Sequence, residues 1–405
     1  MHFTSGDTTY QIRDLTTEDA DQYNRLLRYT FQVTEQELQE SGWRNDEIVQ
    51  SKFPILKRAD VIGAFDEDEL VSQFAVYPLK MNIYDAVYSV GFITSVCTYP
   101  EYTGKGLMKK LMHLSLERMR EKGQSFALLY PYSIPLYRKR GFEIISNKIS
   151  YVVKDRQVPA NAKAPGYVRR VSWENEEFKN LHNQFAQMTH GCLFRNSLAW
   201  EEYWRWDEDD TIVAIYYSKN DTPKGYMVYM IKDDIMYIKE MIYIDYEAHQ
   251  GLWEYIHAHD SMIDEVHGNT YDSESIAFEM ADSDITETLK PYVMGRIIDI
   301  KQFFEQYVCD DSVKETHITF HVKDDFLKWN NGKFTVCFKD GNCSFIEDEN
   351  AYDVTLDIAT LTTLLLGYKN AEQLCLMERM KCSQKAMEAL NDVLFHEVPC
   401  ISDYI

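Results

Sequence analysis

The sequence predicts an α+β fold, mixed helix and mostly antiparallel sheet, built as three successive units. Three observations carry this. Residues 60–98 hold three apolar runs divided by turn signals at Asp66–Asp68 and Asp85, the texture of adjacent strands. A helix-spaced segment follows, and the order helix, antiparallel strands, helix returns after a polar, proline-bearing stretch at 158–167. Past residue 299 the texture changes again, to strands followed by helices.

Taken in order, "YQIRDL" at residues 10–15 reads as an opening strand, and Thr17-Glu18-Asp19 caps a helix with Tyr23, Leu26 and Leu27 on one face. The segment "YPEYTGKGLMKKLM", Tyr99 to Met112, opens a helix that Gly123 ends. Its apolar face holds Leu107, Met108, Leu111, Met112, Leu114, Ser115 and Met119, while Lys109, Lys110, Glu117 and Arg120 fall outside it. "FALLYPY" is the next strand, and "IPLYRKRGFEII" a short helix, a turn and a closing strand. In the second unit a helix around Glu174–Gln187 precedes the strands "TIVAIYYS", "GYMVYMI" and "IMYIKEMIYI", with a hairpin turn at Asn220–Gly225. The helix "GLWEYIHAHDSM" comes last, preceded by the acidic "DYEAHQG" where the first unit has Gly-Lys-Gly. In the third unit "HITFHV", "KFTVCFKD" and "YDVTLDI" read as strands. "TLTTLLLGYKNAEQL" and "QKAMEALNDVLF" read as helices, and Pro399 stops the last. The expected domains are 1–157, 165–295 and 296–405.

Composition narrows the function. A chain of 405 residues exceeds one ordinary core, and 45% hydrophobic with 14% aromatic residues can fill several. The net charge of −23 argues against nucleic acid and draws cations instead. The start, "MHFTSGDTTYQI", lacks the pattern of a signal peptide, and no apolar run approaches a membrane span. The eight cysteines form no C-x-x-C pair, so reduced thiols in a cytoplasmic protein are expected, with no membrane partner. The sequons at Asn220 and Asn342 are then chance matches. Histidines 257 and 259 face different ways on a helix, and His317 and His321 share a strand face with no third ligand evident, so no metal is assigned.

A glycine-rich turn entering a helix serves phosphates in three common ways. The triphosphate loop G-x-x-x-x-G-K-[ST] is absent, and the dinucleotide fingerprint fails because Lys109 stands at its third glycine. The remaining use is coenzyme A, whose pyrophosphate sits on free amides at a helix N-terminus. A lone Gly-Lys-Gly is also an ordinary turn, and context decides between them.

That context resembles the Gcn5-related N-acetyltransferases. Their cofactor motif, roughly Q/R-x-x-G-x-G/A, reads here as Thr103-Gly104-Lys105-Gly106-Leu107-Met108, with threonine and methionine as departures. "LYRKRGF" matches their Tyr-x-x-x-Gly-Phe/Tyr signature. The cradle-less second half, "PYVMGRIIDI" and "LLLGYKNAEQL" are similar to the enhanced intracellular survival (Eis) group. In that group two acetyltransferase-like domains join a third that resembles sterol carrier protein 2. The resemblance implies acetyl-CoA as co-substrate, a small cationic amine as acceptor and a hexamer. It implies that a bulged fourth strand, Ser95-Val96-Cys97-Thr98, faces the thioester, and that Val96, Cys97, Thr98, Thr103, Gly104, Lys105, Gly106, Leu107 and Tyr132 hold the cofactor. Direct transfer is expected over an acyl-Cys97, since no histidine lies near that thiol in sequence.

Tyr137 aligns with the tyrosine that meets the departing thiolate. A phenol near pKa 10 and a thiol near 8.5 leave full proton transfer about 2 kcal/mol uphill, so Tyr137 hydrogen-bonds the thiolate unless its pKa is lowered. The resemblance places Tyr130 at a spot where relatives can carry histidine. The resemblance assigns the role of base to the chain's terminal carboxylate, here on Ile405, whose pKa of about 3.5 suits orienting an ammonium better than accepting its proton. Tyr404 and Phe31 are candidate acceptor-wall residues. "TLTTLLLG" reads as core packing ahead of a lipid cavity. The alternative to an enzyme is a non-catalytic CoA- or lipid-binding module.

Overall fold

The structure is a computed structural model, which describes all residues except 41, 160–162, 206–209, 273, 313 and 404–405. Its first sheet begins with a hairpin, His2–Ser5 against Thr8–Asp14, of which the sequence signalled only the second strand. Asp60–Asp66, Glu69–Ile83 and Ala86–Thr98 follow as antiparallel neighbours, and Phe126–Leu129 joins in parallel. Alternation divides these strands between two cores. Phe74, Val76, Ile93 and Leu129 pack with the helix Leu107–Glu121, while Ala75, Tyr77, Phe92 and Leu128 share the opposite core with the helix Ala20–Phe31. Gly91 permits the first contact, since a Cβ there would come within 2.6 Å of Met119 Cε and of Val76 Cγ1. Thr17–Asp19 forms a single turn, closed by a capping box between the Thr16 and Asp19 side chains, and Asp19 is the N-cap of the helix Ala20–Phe31. Gly123, at φ +71, ends the second helix as expected.

The second sheet runs Thr286–Pro291, Asn147–Lys154, Glu265–Thr270, Ile235–Tyr243, Pro223–Lys232, Ile212–Tyr217, Tyr167–Val171. Here the chain weaves between sheets. Asn147–Lys154, ahead of the polar stretch at 158–167, already pairs with the second sheet. Met294–Ile297 returns to lie between Phe126–Leu129 and Glu143–Ile144 of the first. The last helix of this unit is Tyr246–His257, so the acidic "DYEAHQ" forms the end of the approach and the helix's own first turns. Asp245 caps it by accepting from the Ala248 amide, and a carboxylate there repels phosphate.

The third sheet orders Asn342–Phe345, Gly332–Lys339, Thr316–Lys323, Tyr352–Asp357 and Met380–Cys382. The leucine run is two helices, Ile358–Leu365 and Ala371–Leu376, parted at Gly367 with φ +70. Every residue of the first is buried, and its leucines join the same core as Phe92 and Leu128, so they pack the joint between the first and third units. At that joint the fully buried Arg296 pairs with Asp324 and donates to the Arg140 carbonyl.

Candidate active site

Pro100–Tyr102 forms a single turn, and Thr103 closes it by donating its hydroxyl (2.7 Å) and its amide (3.1 Å) to the Pro100 carbonyl. The backbone then passes through the left-handed region twice, at Gly104 (φ +77) and Gly106 (φ +81). A Cβ at Gly104 would meet nothing within 4 Å, so it is the dihedral angle, not space, that requires glycine. Gly106 is the N-cap of Leu107–Glu121 and offers no side chain to the first amides. The helix therefore begins with no side-chain cap on its first N–H groups, at the positive end of its dipole. Lys105 lies beside this turn with its ammonium 4.5 Å from the centre of the Tyr102 ring. Leu107 is buried beneath it, and Met108, where relatives have a small residue, tucks half-buried against the core.

Beside the cradle the strand Ala86–Thr98 is bulged. Gln73 pairs with Cys97 while Ala75 pairs with Thr94, and Ser95 takes φ +53. The parallel pairing with Phe126–Leu129 ends at Ile93 and Leu129, so Thr94–Thr98 and the segment from Tyr130 diverge from there. The bulge is pinned by Tyr23, whose hydroxyl donates to Ser95 Oγ at 2.7 Å inside the core. Val96 leans toward the helix that carries the cradle, and Thr98 shares a 2.7 Å hydrogen bond with Ser72. Cys97 is 2% exposed, and burial pushes its thiol up to about 12. It is a protonated thiol at neutral pH, unsuited to nucleophilic attack.

Tyr137 lies in the short helix Ile134–Arg138, 5% exposed, its ring edge-on to Phe142 at 5.9 Å. Burial pushes its phenol up to about 12, with Cys97 adding to the rise, and the ring belongs to the same apolar cluster as Val96 of the bulged strand. The signature glycine, Gly141, is required twice over: φ is +80, and a Cβ would fall 1.9 Å from Arg296 Nη1. Tyr130 sits where the strands diverge, between the rings of Phe92 (5.0 Å) and Tyr292 (4.9 Å). Tyr292 donates to the main-chain carbonyl of Asp403 at 3.0 Å, and its hydroxyl lies 3.3 Å from that of Tyr130. Asp403, the last described residue, is thereby tied to the point where the strands diverge. Tyr404 and Ile405 themselves lie outside the described residues.

Tyr132 projects into solvent, 89% exposed, at the start of the loop before the Tyr137 helix. Phe31, 51% exposed, ends the helix Ala20–Phe31 at the edge of a 920 Å³ cavity, whose walls come instead from Tyr29, Val33, Val49 and Phe53. That cavity carries Asp21, Glu35 and Asp46 against Arg25 and Arg28. Sequence reasoning missed Tyr23, Tyr292 and Asp403, whose partners are 72, 162 and 111 positions away. It also missed the neighbours of His317. Cys337 stands directly across the sheet from that histidine, while Asp348 and Glu315 on either side raise its pKa as paired carboxylates.

Comparisons with known proteins follow the same three-part division. Residues 11–145 and 191–297 each match an acetyltransferase (GNAT) domain, and residues 300–402 match a sterol carrier protein domain. The chain is 21% identical over 352 residues to the N-acetyltransferase Eis of Mycobacterium tuberculosis, covering 82% of this chain and 85% of that protein. It is 19% identical over 413 residues to an uncharacterised N-acetyltransferase of Streptomyces griseus, covering 95% and 96%. Among solved structures, a probable N-acyltransferase from Enterococcus faecalis superposes with a TM-score of 0.88 at 24% identity, over 98% of this chain and 99% of that one. Eis1 of Mycobacterium abscessus gives 0.80 at 15% identity, over 98% and 100%.

Proposed function

We propose, from the premise that this chain is an Eis-like acetyltransferase of the Gcn5-related superfamily with a sterol-carrier-like third domain, that it passes the acetyl group of acetyl-CoA directly to a cationic primary amine within a ternary complex. The observation that carries this reading is the uncapped helix at Gly106, entered through two left-handed glycines and set beside a bulged strand. Bare amides at a positive helix end fit a pyrophosphate, and Lys105 adds charge to the same site. Thr103 to Leu107 are the proposed diphosphate contacts, and Val96 to Thr98 line the thioester side. Tyr132 is proposed as an outer contact that closes on the cofactor.

The acceptor's ammonium, with a pKa near 10, first gives up a proton to water, its nitrogen then attacks the thioester carbonyl, and the second proton shed as the amide forms ends, by way of water, on the departing sulfur. A C–N bond forms, the C–S bond breaks, and the electron pair leaves on sulfur. Tyr137 meets that sulfur as a hydrogen-bond donor. The buried, protonated Cys97 supports direct transfer over an acyl-cysteine. The carboxylate of Ile405 is the proposed group that orients the ammonium, with Tyr404, Tyr130 and Phe31 as proposed walls, and the cavity beside Phe31 is proposed as the acceptor cleft. A net charge of −23 supports an aminoglycoside-like, polyamine or lysine acceptor. Among the described residues no helix is long and apolar enough to cross a membrane, and a cytoplasmic hexamer remains part of this reading, open to sedimentation.

The test is CoA release across aminoglycosides, polyamines and lysine peptides, with products confirmed by mass. Turnover with none of them, while acetyl-CoA binds, would sink the amine assignment. Two results are expected alongside. Raising salt from about 20 to 200 mM should lower kcat/KM on polycationic acceptors several-fold, because the attraction is long-range and screened. Gly106→Ala should weaken acetyl-CoA binding by calorimetry about 10-fold, since a left-handed alanine costs roughly 1–2 kcal/mol at the turn that presents the amides.

A further inference from the structure

Arg195 follows the short strand Leu193–Phe194 and is buried between the first two units, its guanidinium flanked by the rings of Trp200 and Tyr203 at 4.8 and 4.2 Å. Both of its terminal nitrogens donate to Glu240, at 3.0 and 2.6 Å, and its Nε donates to Asp403 Oδ1 at 2.6 Å. Glu240 also accepts from Tyr226 (2.8 Å) and from Ser402 (3.0 Å). One cation thus joins a strand of the second sheet to the last described residues of the chain. Burying such a cluster gains little stability over apolar packing of the same volume. What it does impose is a single position for the tail, because the fork of Arg195 is filled only when Asp403 stands at that one place.

The site of the clasp explains what the second unit offers in place of a cradle. Its strand Ile235–Tyr243 keeps the layout of the first unit: parallel pairing with Glu265–Thr270 stops at Tyr237, and a register shift opposite Val228 and Tyr229 follows. Glu240 sits just past that shift. The first unit's equivalent bulge faces the proposed thioester site, whereas here the buried face meets Arg195 and the tail.

We propose that Arg195, braced by Glu240, is a positioning residue for acetyl transfer, holding Asp403 so that the chain's end is fed past Tyr292 to Tyr130. The second acetyltransferase-like unit then serves the first as a tail clamp. The inference rests on the amine-acetylating reading above. The groups facing the clasp keep one charge state near neutrality. Burial would raise Glu240, but Arg195 carries it down to about 2, while burial pushes His182 down to about 4 and the Cys192 and Cys400 thiols up.

The experiment uses the full chain with Asp403→Asn, Arg195→Lys and Arg195→Met, and reads four quantities: kcat on the best amine, acetyl-CoA affinity, melting temperature, and C-terminal trimming by carboxypeptidase Y. Asp403→Asn and Arg195→Met should lower kcat about 10-fold or more with acetyl-CoA affinity within about 2-fold, and should be trimmed faster. Arg195→Lys should recover part of both. If Arg195→Met fails to fold, the isosteric Asp403→Asn decides. A folded Asp403→Asn with wild-type kcat or wild-type trimming overturns the proposal. If the wild-type chain acetylates no amine, the functional reading falls, and trimming alone still tells whether Arg195 holds the tail.

Discussion

Tyr137→Phe is expected to lower kcat about 100-fold, near 2.7 kcal/mol of transition-state stabilisation, with acetyl-CoA affinity changed by less than about 3-fold. The substitution removes one oxygen from a packed ring, so Phe142 and the surrounding core keep their contacts. What it removes is the phenolic hydroxyl, the proposed donor to the departing thiolate. With its phenol at about 12, Tyr137 stays protonated at all working pH values. Against a thiol near 8.5, full proton transfer is then about 5 kcal/mol uphill, so the role proposed for Tyr137 is hydrogen bonding to the thiolate. The sequence left donation open on condition of a lowered pKa, and burial moves it the other way. The sign gives a second readout. A group with a raised acid pKa loses its proton only as pH climbs toward that value, so no basic limb from Tyr137 should appear in kcat below about pH 10. An unchanged kcat in the phenylalanine variant, or a tyrosine limb near pH 8, would remove Tyr137 from the mechanism.

Arg296→Met should cost about 3–5 kcal/mol of stability, read by urea unfolding, because it strands the buried Asp324 carboxylate without its cation. Arg296 also fills the space beside Gly141 and donates to the Arg140 carbonyl, so the damage reaches the turn that follows the Tyr137 helix. Burial lowers the guanidinium pKa only to about 10, and it remains charged at neutral pH. Pairing Arg296→Met with Asp324→Leu removes the orphaned charge and should recover more than half of the loss. Equal instability of the single and double variants would show that shape, not charge, matters at this joint.

How much was legible follows from how local each feature is. The cradle lies within a few residues of its helix, and glycines followed by helix-spaced apolar residues record both the left-handed turn and the buried face. The Tyr-x-x-x-Gly-Phe string is local in the same way, and its glycine proves to be dictated by dihedral angle and by Arg296 together. The repeat of helix, strands and helix was visible because amphipathic periodicity repeats with it. By contrast, the short helices at Glu35–Glu40, Asn45–Gln50 and Phe53–Arg58, which border the cavity, carry weak periodicity and went unread.

By itself, then, the sequence determined the three-part α+β plan, the glycine turn that opens the helix Leu107–Glu121 and the Tyr-x-x-x-Gly-Phe turn, since each rests on neighbours in the chain. Only the tertiary structure decided that Asn147–Lys154 and Met294–Ile297 change sheets, that Ser95 bulges against Tyr23, and that Arg195 binds Glu240 and Asp403 together. It alone set the direction of the Tyr137 and Cys97 pKa shifts. The reason is physical: strand partners, buried ion pairs and desolvation come from groups tens to hundreds of residues apart, and no local pattern encodes who will meet whom.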